Sequence, residues 1–178
     1  MNKTVLVTIG AVVAVVLCIV FGVQHSQNKA INYEETIAQC QSDIDVQIDR
    51  KINVLTELAE CVKQYDDYEG QTLENIIEKR SPMDIDSSKL VTHLNAVAEA
   101  YPELKSNENY KTLMTEISTT ENLLMTHKKA YNTAVKQYNN YCRKFPTRFN
   151  LDIAGYEMVG YQYYSTKNTD KPMVLFGE

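Results

Sequence analysis

The sequence has no tryptophan, only six glycines and four prolines, and neither a glycine-rich phosphate loop nor a G-x-S-x-G elbow. Phosphate cradles and nucleophile elbows need glycine where the backbone approaches a ligand or turns sharply, so P-loop, dinucleotide-binding and serine-hydrolase chemistry are excluded. Four cysteines without a C-x-x-C pair do not make a disulfide framework. Three of them, Cys40, Cys61 and Cys142, lie beyond the amino-terminal segment, an odd number that suits free buried thiols in a reducing compartment. Cys40 and Cys61 are 21 residues apart, about 31 Å along a helix, and cannot share a metal. His25, His93 and His127 fall on separate segments with no E-x-x-H spacing, so no metal ligand set is expected. Bases are scarce, 18 against 23 acids, which leaves no excess to neutralise nucleic-acid phosphates. No acid at all precedes Glu34.

That last absence marks a different kind of chain. From Val5 to Val23, 16 of 19 residues are apolar and none is charged. As a helix this stretch is about 28 Å long, close to the ~30 Å hydrocarbon thickness of a bilayer. A cleaved signal peptide needs small residues at an A-x-A-like site, which Gln24–Ala30 does not offer. A lipid-modified Cys18 is disfavoured by Leu17 before it and by the apolar Ile19-Val20-Phe21 after it. A retained single-span anchor is the expectation, with the lipid bilayer as the partner of Val5–Val23. Its orientation is nearly balanced: the amino terminus and Lys3 against Lys29 lean towards a cytoplasmic amino terminus, and the free thiols lean the other way. Residues 30–178 carry sixteen bases against 23 acids, an acidic domain expected to stand off anionic headgroups.

In the remainder apolar residues recur at helical spacing through Ile37, Ile44, Ile48, Ile52, Leu55, Ala59, Val62, Tyr65, Leu73 and Ile76. The spacing predicts one helix from Tyr33 to about Lys79, with Gly70 its weak point and a short break from the span near Gln24–Ala30. Ser81-Pro82 stops it, and Asp84, Asp86, Ser87 and Ser88 are suited to cap a shorter helix whose apolar face is Leu90, Leu94, Val97 and Tyr101. Pro102 closes that helix and Asn107 caps the next. There a stripe of Tyr110, Leu113, Ile117, Leu124, Tyr131, Val135, Tyr138, Cys142 and Phe145 runs to Pro146. A short helix is expected around Leu151–Tyr156, and the aromatic Phe149–Tyr164 region is read as a plug over the open end of the bundle. The tail from Ser165 is polar apart from Met173–Phe176. With no period-2 strand, the fold class is all-α: an N-terminal transmembrane helix followed by an antiparallel four-helix bundle of long helices. The domains are 1–29 anchor and linker, 30–164 bundle, and 165–178 flexible tail.

Charges also stand on the core stripes. Glu121 and Lys128 occupy steps between Ile117, Leu124 and Tyr131, and Glu69 lies between Tyr65 and Leu73. Buried charges must pair, so Glu69, Glu121 and Lys128, flanked by Asn132 and Asn139, are expected to form a polar network that fixes helix register. On this reading Lys128→Leu lowers the melting temperature unless Glu121 is also neutralised. No catalytic residue, cofactor or small-molecule substrate is inferred.

The same helices carry a resemblance. Glu121, Lys128, Tyr131-Asn132, Val135, Tyr138-Asn139 and Phe145-Pro146, with Ala98–Lys105 and Asn107 upstream, are similar to the motifs of the LemA family. Asp45-Val46-Gln47-Ile48, Arg50-Lys51, Val62-Lys63, Tyr65 and Glu69 match on the first long helix. Lys128 replaces the family's Arg, Leu55-Thr56-Glu57-Leu58 replaces its Ile-Pro-Asn-Leu run, and acidic Asp49 precedes its basic pair. The resemblance implies a membrane-anchored, bacterial-type helical bundle without established catalytic activity. It also implies association with membrane processes such as magnetosome membrane biogenesis or a membrane metalloprotease. The expected role is a scaffold or interaction module, a homo-oligomer or a partner of another membrane protein. The alternative is an accessory or substrate-presenting subunit of a membrane enzyme.

Overall fold

A computed structural model of the chain describes residues 3–79 and 87–164. The Ser81-Pro82 stop, the caps proposed at Asp84 and Asp86, the side chains of Ser87 and Ser88, and the tail from Ser165 with Met173–Phe176 lie outside the described residues. The described residues form six helices and no strand: α1 (Lys3–Lys63), α2 (Asp67–Lys79), α3 (Ser87–Ala100), α4 (Pro102–Ser106), α5 (Glu108–Arg143) and α6 (Thr147–Ile153). The protein is all-α, and its two long helices run antiparallel, pairing Arg50 with Glu116 and Asp43 with His127.

Two expectations about α1 change. It passes through Gln24–Ala30 without a break, since that stretch has neither Pro nor Gly to interrupt the backbone ladder. It also stops at Lys63 rather than at Lys79. The turn is made by Asp66, whose Oδ1 accepts the backbone N–H of Tyr68 at 2.8 Å and of Glu69 at 3.1 Å, capping α2. The eight-residue step from Tyr65 to Leu73 keeps helical phase across this turn, which hides it from the periodicity.

Gly70 is therefore a packing requirement, not a weak point. A Cβ there would lie 2.7 Å from the Lys63 Cα and 2.5 Å from its Cβ. Gly70→Ala gains about 1 kcal/mol of helix propensity, but the overpacking costs about 1–3 kcal/mol. A net loss of about 1 kcal/mol in urea unfolding is expected, and a stabilised variant would show that the turn accommodates the methyl.

The chain divides into two compact units. One comprises the residues up to Cys40 with Ala130–Tyr164, the other Gln41–Lys129. In the second, Leu55, Leu58, Ala59 and Val62 of α1 pack with Leu73 of α2, Leu90 and Leu94 of α3, Leu104 of α4, and Tyr110, Leu113 and Ile117 of α5. Pro102 opens α4 as its first residue, where its missing N–H costs nothing. Asn107 caps α5 as expected, its Oδ1 accepting the Tyr110 N–H at 3.1 Å.

In the first unit the buried side chains are Ala30, Ile37, Tyr131, Ala134, Val135, Tyr138, Cys142 and Leu151, with Ser26 among them. α5 ends at Arg143, and Phe145, placed on its core stripe by spacing, is 86% exposed because the chain leaves the helix before reaching it. α6 lies four residues earlier than expected at its start and ends before Gly155, whose φ of 64° is the left-handed conformation that terminates helices. The following segment lies along α5 and does not plug a bundle end. Asn132 pairs with both backbone groups of Tyr164 at 2.9 Å, the Tyr131 and Tyr164 rings meet edge to face, and Tyr161 packs on Tyr138.

Candidate functional site

Polar chemistry gathers at one centre in each unit. In the Gln41–Lys129 unit, Lys51 is 3% exposed and its Nζ donates to Glu121 Oε1 at 2.8 Å. Lys51 holds this place because Ala30, Ile37, Ile44, Lys51 and Leu58 follow one another at seven-residue steps, which carries an ammonium into a core position. Lys128 stands beside the pair. Burial and the Lys51 charge pull its pKa down, while the Glu121 carboxylate pulls it up. One carboxylate thus answers to two ammonium groups.

The expected network is distributed over three places. Glu121 and Lys128 lie within Coulombic reach of each other, and Lys51, which sequence reasoning missed, is the ion-pair partner of Glu121. Glu69 lies apart, bonded to the His93 ring at 3.0 Å, because the turn at Asp66 redirects it towards α3. Asn132 is occupied by the Tyr164 backbone, and Asn139 is half-buried on the same helix.

Near Glu69, Asp66 also accepts a hydrogen bond from the Tyr101 hydroxyl. That bond and the N–H groups of Glu69 and Tyr68 hold the Asp66 carboxyl below its ordinary 3.8. A carboxyl depressed on folding stabilises the fold above its unfolded pKa, and the contribution vanishes as pH falls through the lower folded value. Asp66→Asn is therefore expected to be less stable than the parent at pH 6, with the gap closing as the pH falls through the lowered folded value. A gap independent of pH in thermal melts would assign the effect to something other than this carboxylate.

In the unit containing Ala130–Tyr164, Glu34 of α1 accepts hydrogen bonds at one oxygen from Tyr138 at 3.0 Å and Tyr156 at 2.5 Å. The Val159 N–H donates to Tyr138 Oη at 3.0 Å. Burial lifts the Tyr138 phenol to about 12. Burial, followed by its bonds to Glu34 and Tyr138, raises that of Tyr156 as well. Both are neutral donors near pH 7 and hold a carboxylate in place. The Cys61 and Cys142 thiols are pushed up mainly by burial, which disfavours the nucleophilic thiolate.

Among the described residues no group of three or more His, Cys, Asp or Glu is placed to hold a metal. An open groove of about 450 Å³ lies between Arg50, Lys111, Thr112, Thr115, Glu116 and Thr119. Its charges answer one another: Arg50 pairs with Glu116, and Lys111 with neighbouring Glu108, each at 2.8 Å. Both polar centres join side chains of different helices within one unit.

At the other extreme, every residue from Val5 to Phe21 is exposed, on a helix whose most apolar 18-residue window has a mean hydropathy of 3.0. One helix is thus long and apolar enough to cross a membrane.

Comparison with known proteins agrees with this architecture. The chain is similar to magnetosome proteins MamQ 1 and MamQ 2 of Paramagnetospirillum magneticum (strain ATCC 700264 / AMB-1), at 34% identity over 82 residues in each case. The match takes in 46% of this chain and 29% of each relative, so it spans under a third of their length. The LemA family model matches residues 40–176, a range that takes in Lys51, Glu121 and Lys128 together with Tyr138 and Tyr156, while Glu34 precedes it. The chain is a member of the LemA family.

Proposed function

We propose that this chain is a single-pass membrane protein whose helical domain acts as a non-catalytic scaffold or protein-interaction module at the membrane. The observation that carries the reading is the exposed apolar run Val5–Phe21 on the same unbroken helix that supplies core residues from Ala30 onward. A span joined to its domain by continuous helix transmits position, which suits an organiser of membrane-associated partners. The polar centres support it by pairing with neighbouring helices of their own unit. Cross-linking of the full chain in native membranes tests the role. Self-cross-links or several stable protein adducts support a scaffold, whereas a chain with no protein adduct contradicts it. One dominant adduct to a membrane enzyme replaces the proposal with the accessory-subunit role.

A further inference from the structure

The corner between α5 and α6 combines bases and exposed phenyl rings in a short stretch. Within the seven residues from Arg143 to Phe149 stand three bases, Arg143, Lys144 and Arg148, and two phenyl rings, Phe145 and Phe149. All five side chains are exposed, the rings at 86% and 59%. Two phenyl rings this exposed within five residues are unfavourable in water.

Their position is fixed by hydrogen bonds within the unit that contains the span. Asn150 Nδ2 donates to Ser26 Oγ at 2.9 Å and approaches the Gly22 carbonyl at 3.4 Å. The Tyr141 hydroxyl reaches the Ser26 carbonyl at 3.3 Å, and Lys29 lies over the Tyr141 ring. The corner therefore sits against the first turns of α1 that follow the apolar run, the level at which a bilayer's headgroups begin.

Charge follows the same division. The unit holding the corner has six bases against four acids, whereas Gln41–Lys129 has ten against seventeen. Between Asn122 and Ile153 the single acid is Asp152. The acidity that would repel anionic headgroups is thus confined to the other unit.

We infer that the α5–α6 corner is a second membrane contact, with Phe145 and Phe149 inserted into the bilayer interface and Arg143, Lys144 and Arg148 bound to anionic lipid phosphates. The inference rests on the reading of Val5–Val23 as a membrane span. Aromatic rings favour the interfacial zone, and each base near an anionic surface strengthens partition about fivefold. The rings enter about 5–10 Å into the headgroup and acyl boundary.

The absence of tryptophan makes the test direct, because one introduced tryptophan is the sole indole emitter. Full-length Phe149→Trp, Leu17→Trp and Tyr68→Trp proteins are reconstituted in vesicles of equal parts phosphatidylcholine and phosphatidylglycerol carrying brominated acyl chains. Quenching is expected at 17 by deep bromines and at 149 by shallow ones, with none at 68. Adding Arg143→Glu, Lys144→Glu and Arg148→Glu is expected to lower quenching at 149 by half or more while leaving 17 unchanged. Quenching at 17 without quenching at 149 overturns the second contact alone and leaves the corner to a protein partner. No quenching at 17 overturns the span, and the inference with it.

Discussion

Replacing Lys51 by methionine is expected to lower the unfolding free energy by about 3 kcal/mol, among the largest losses available to a single substitution outside the apolar core. The Lys51 side chain is 4% exposed and that of Glu121 14%, and their 2.8 Å contact offsets the removal of both charges from water. Without Lys51 the Glu121 carboxylate stays largely out of water, still within Coulombic reach of Lys128. That residual cation sets the figure at the low end of the range for a broken buried pair. Lys51→Met combined with Glu121→Leu is expected to recover most of the loss, since an apolar pair of similar volume is nearly neutral. Lys128→Leu costs much less, because Lys51 still holds Glu121 and Lys128 itself is disfavoured by burial. Urea unfolding followed by circular dichroism checks all three, and an unchanged midpoint for Lys51→Met would contradict the assignment.

Tyr138→Ala should cost about 3–5 kcal/mol, the range for deleting a buried aromatic ring. The residue is fully buried, and its hydroxyl both donates to Glu34 and accepts the Val159 N–H. Its ring also carries Tyr161. Tyr138→Phe separates the two contributions, because it keeps the ring and orphans the Val159 N–H, at a cost of about 1–3 kcal/mol. The pH dependence distinguishes them further. A phenol whose pKa rises from 10.0 to about 12 on folding stabilises the fold fully below its unfolded value. That contribution is lost as pH rises through the folded value. The parent should therefore lose its advantage over Tyr138→Phe between pH 10 and about 12 in thermal melts. A constant difference would show that the titration of this phenol contributes nothing to stability.

Much of this architecture is legible in the amino-acid order because helical spacing reports burial directly. Ile44, Leu55, Ile117 and Val135 are buried where the pattern puts them, and Asn107 caps the helix it precedes. Turns that preserve helical phase are the blind spot. Asp66 ends α1 between Tyr65 and Leu73 without shifting the apolar register, and its capping role depends on the backbone N–H groups it meets. Lys51 shows a related failure. Read with Arg50 as a basic surface pair it looks solvated, although its seven-residue relation to Ile44 and Leu58 marks a core position. Glu69 looks equivalent to Glu121 by spacing alone, and only the turn separates their partners. Phe145 fails in the opposite sense, since a stripe extrapolated past Arg143 assumes a helix that has already ended.

In the proposed arrangement one helix leaves the bilayer and enters the folded domain without a hinge. Spin labels placed singly from Val13 to Asn32 in the reconstituted full chain test it most directly, by comparing accessibility to oxygen and to a water-soluble paramagnet. Oxygen accessibility without aqueous access is expected up to about Val23. Beyond that point a ~3.6-residue oscillation should follow, with protected minima at Ser26 and Ala30. Uniform aqueous access from Val13 onward, or a non-periodic mobile stretch over Gln24–Ala30, would contradict it.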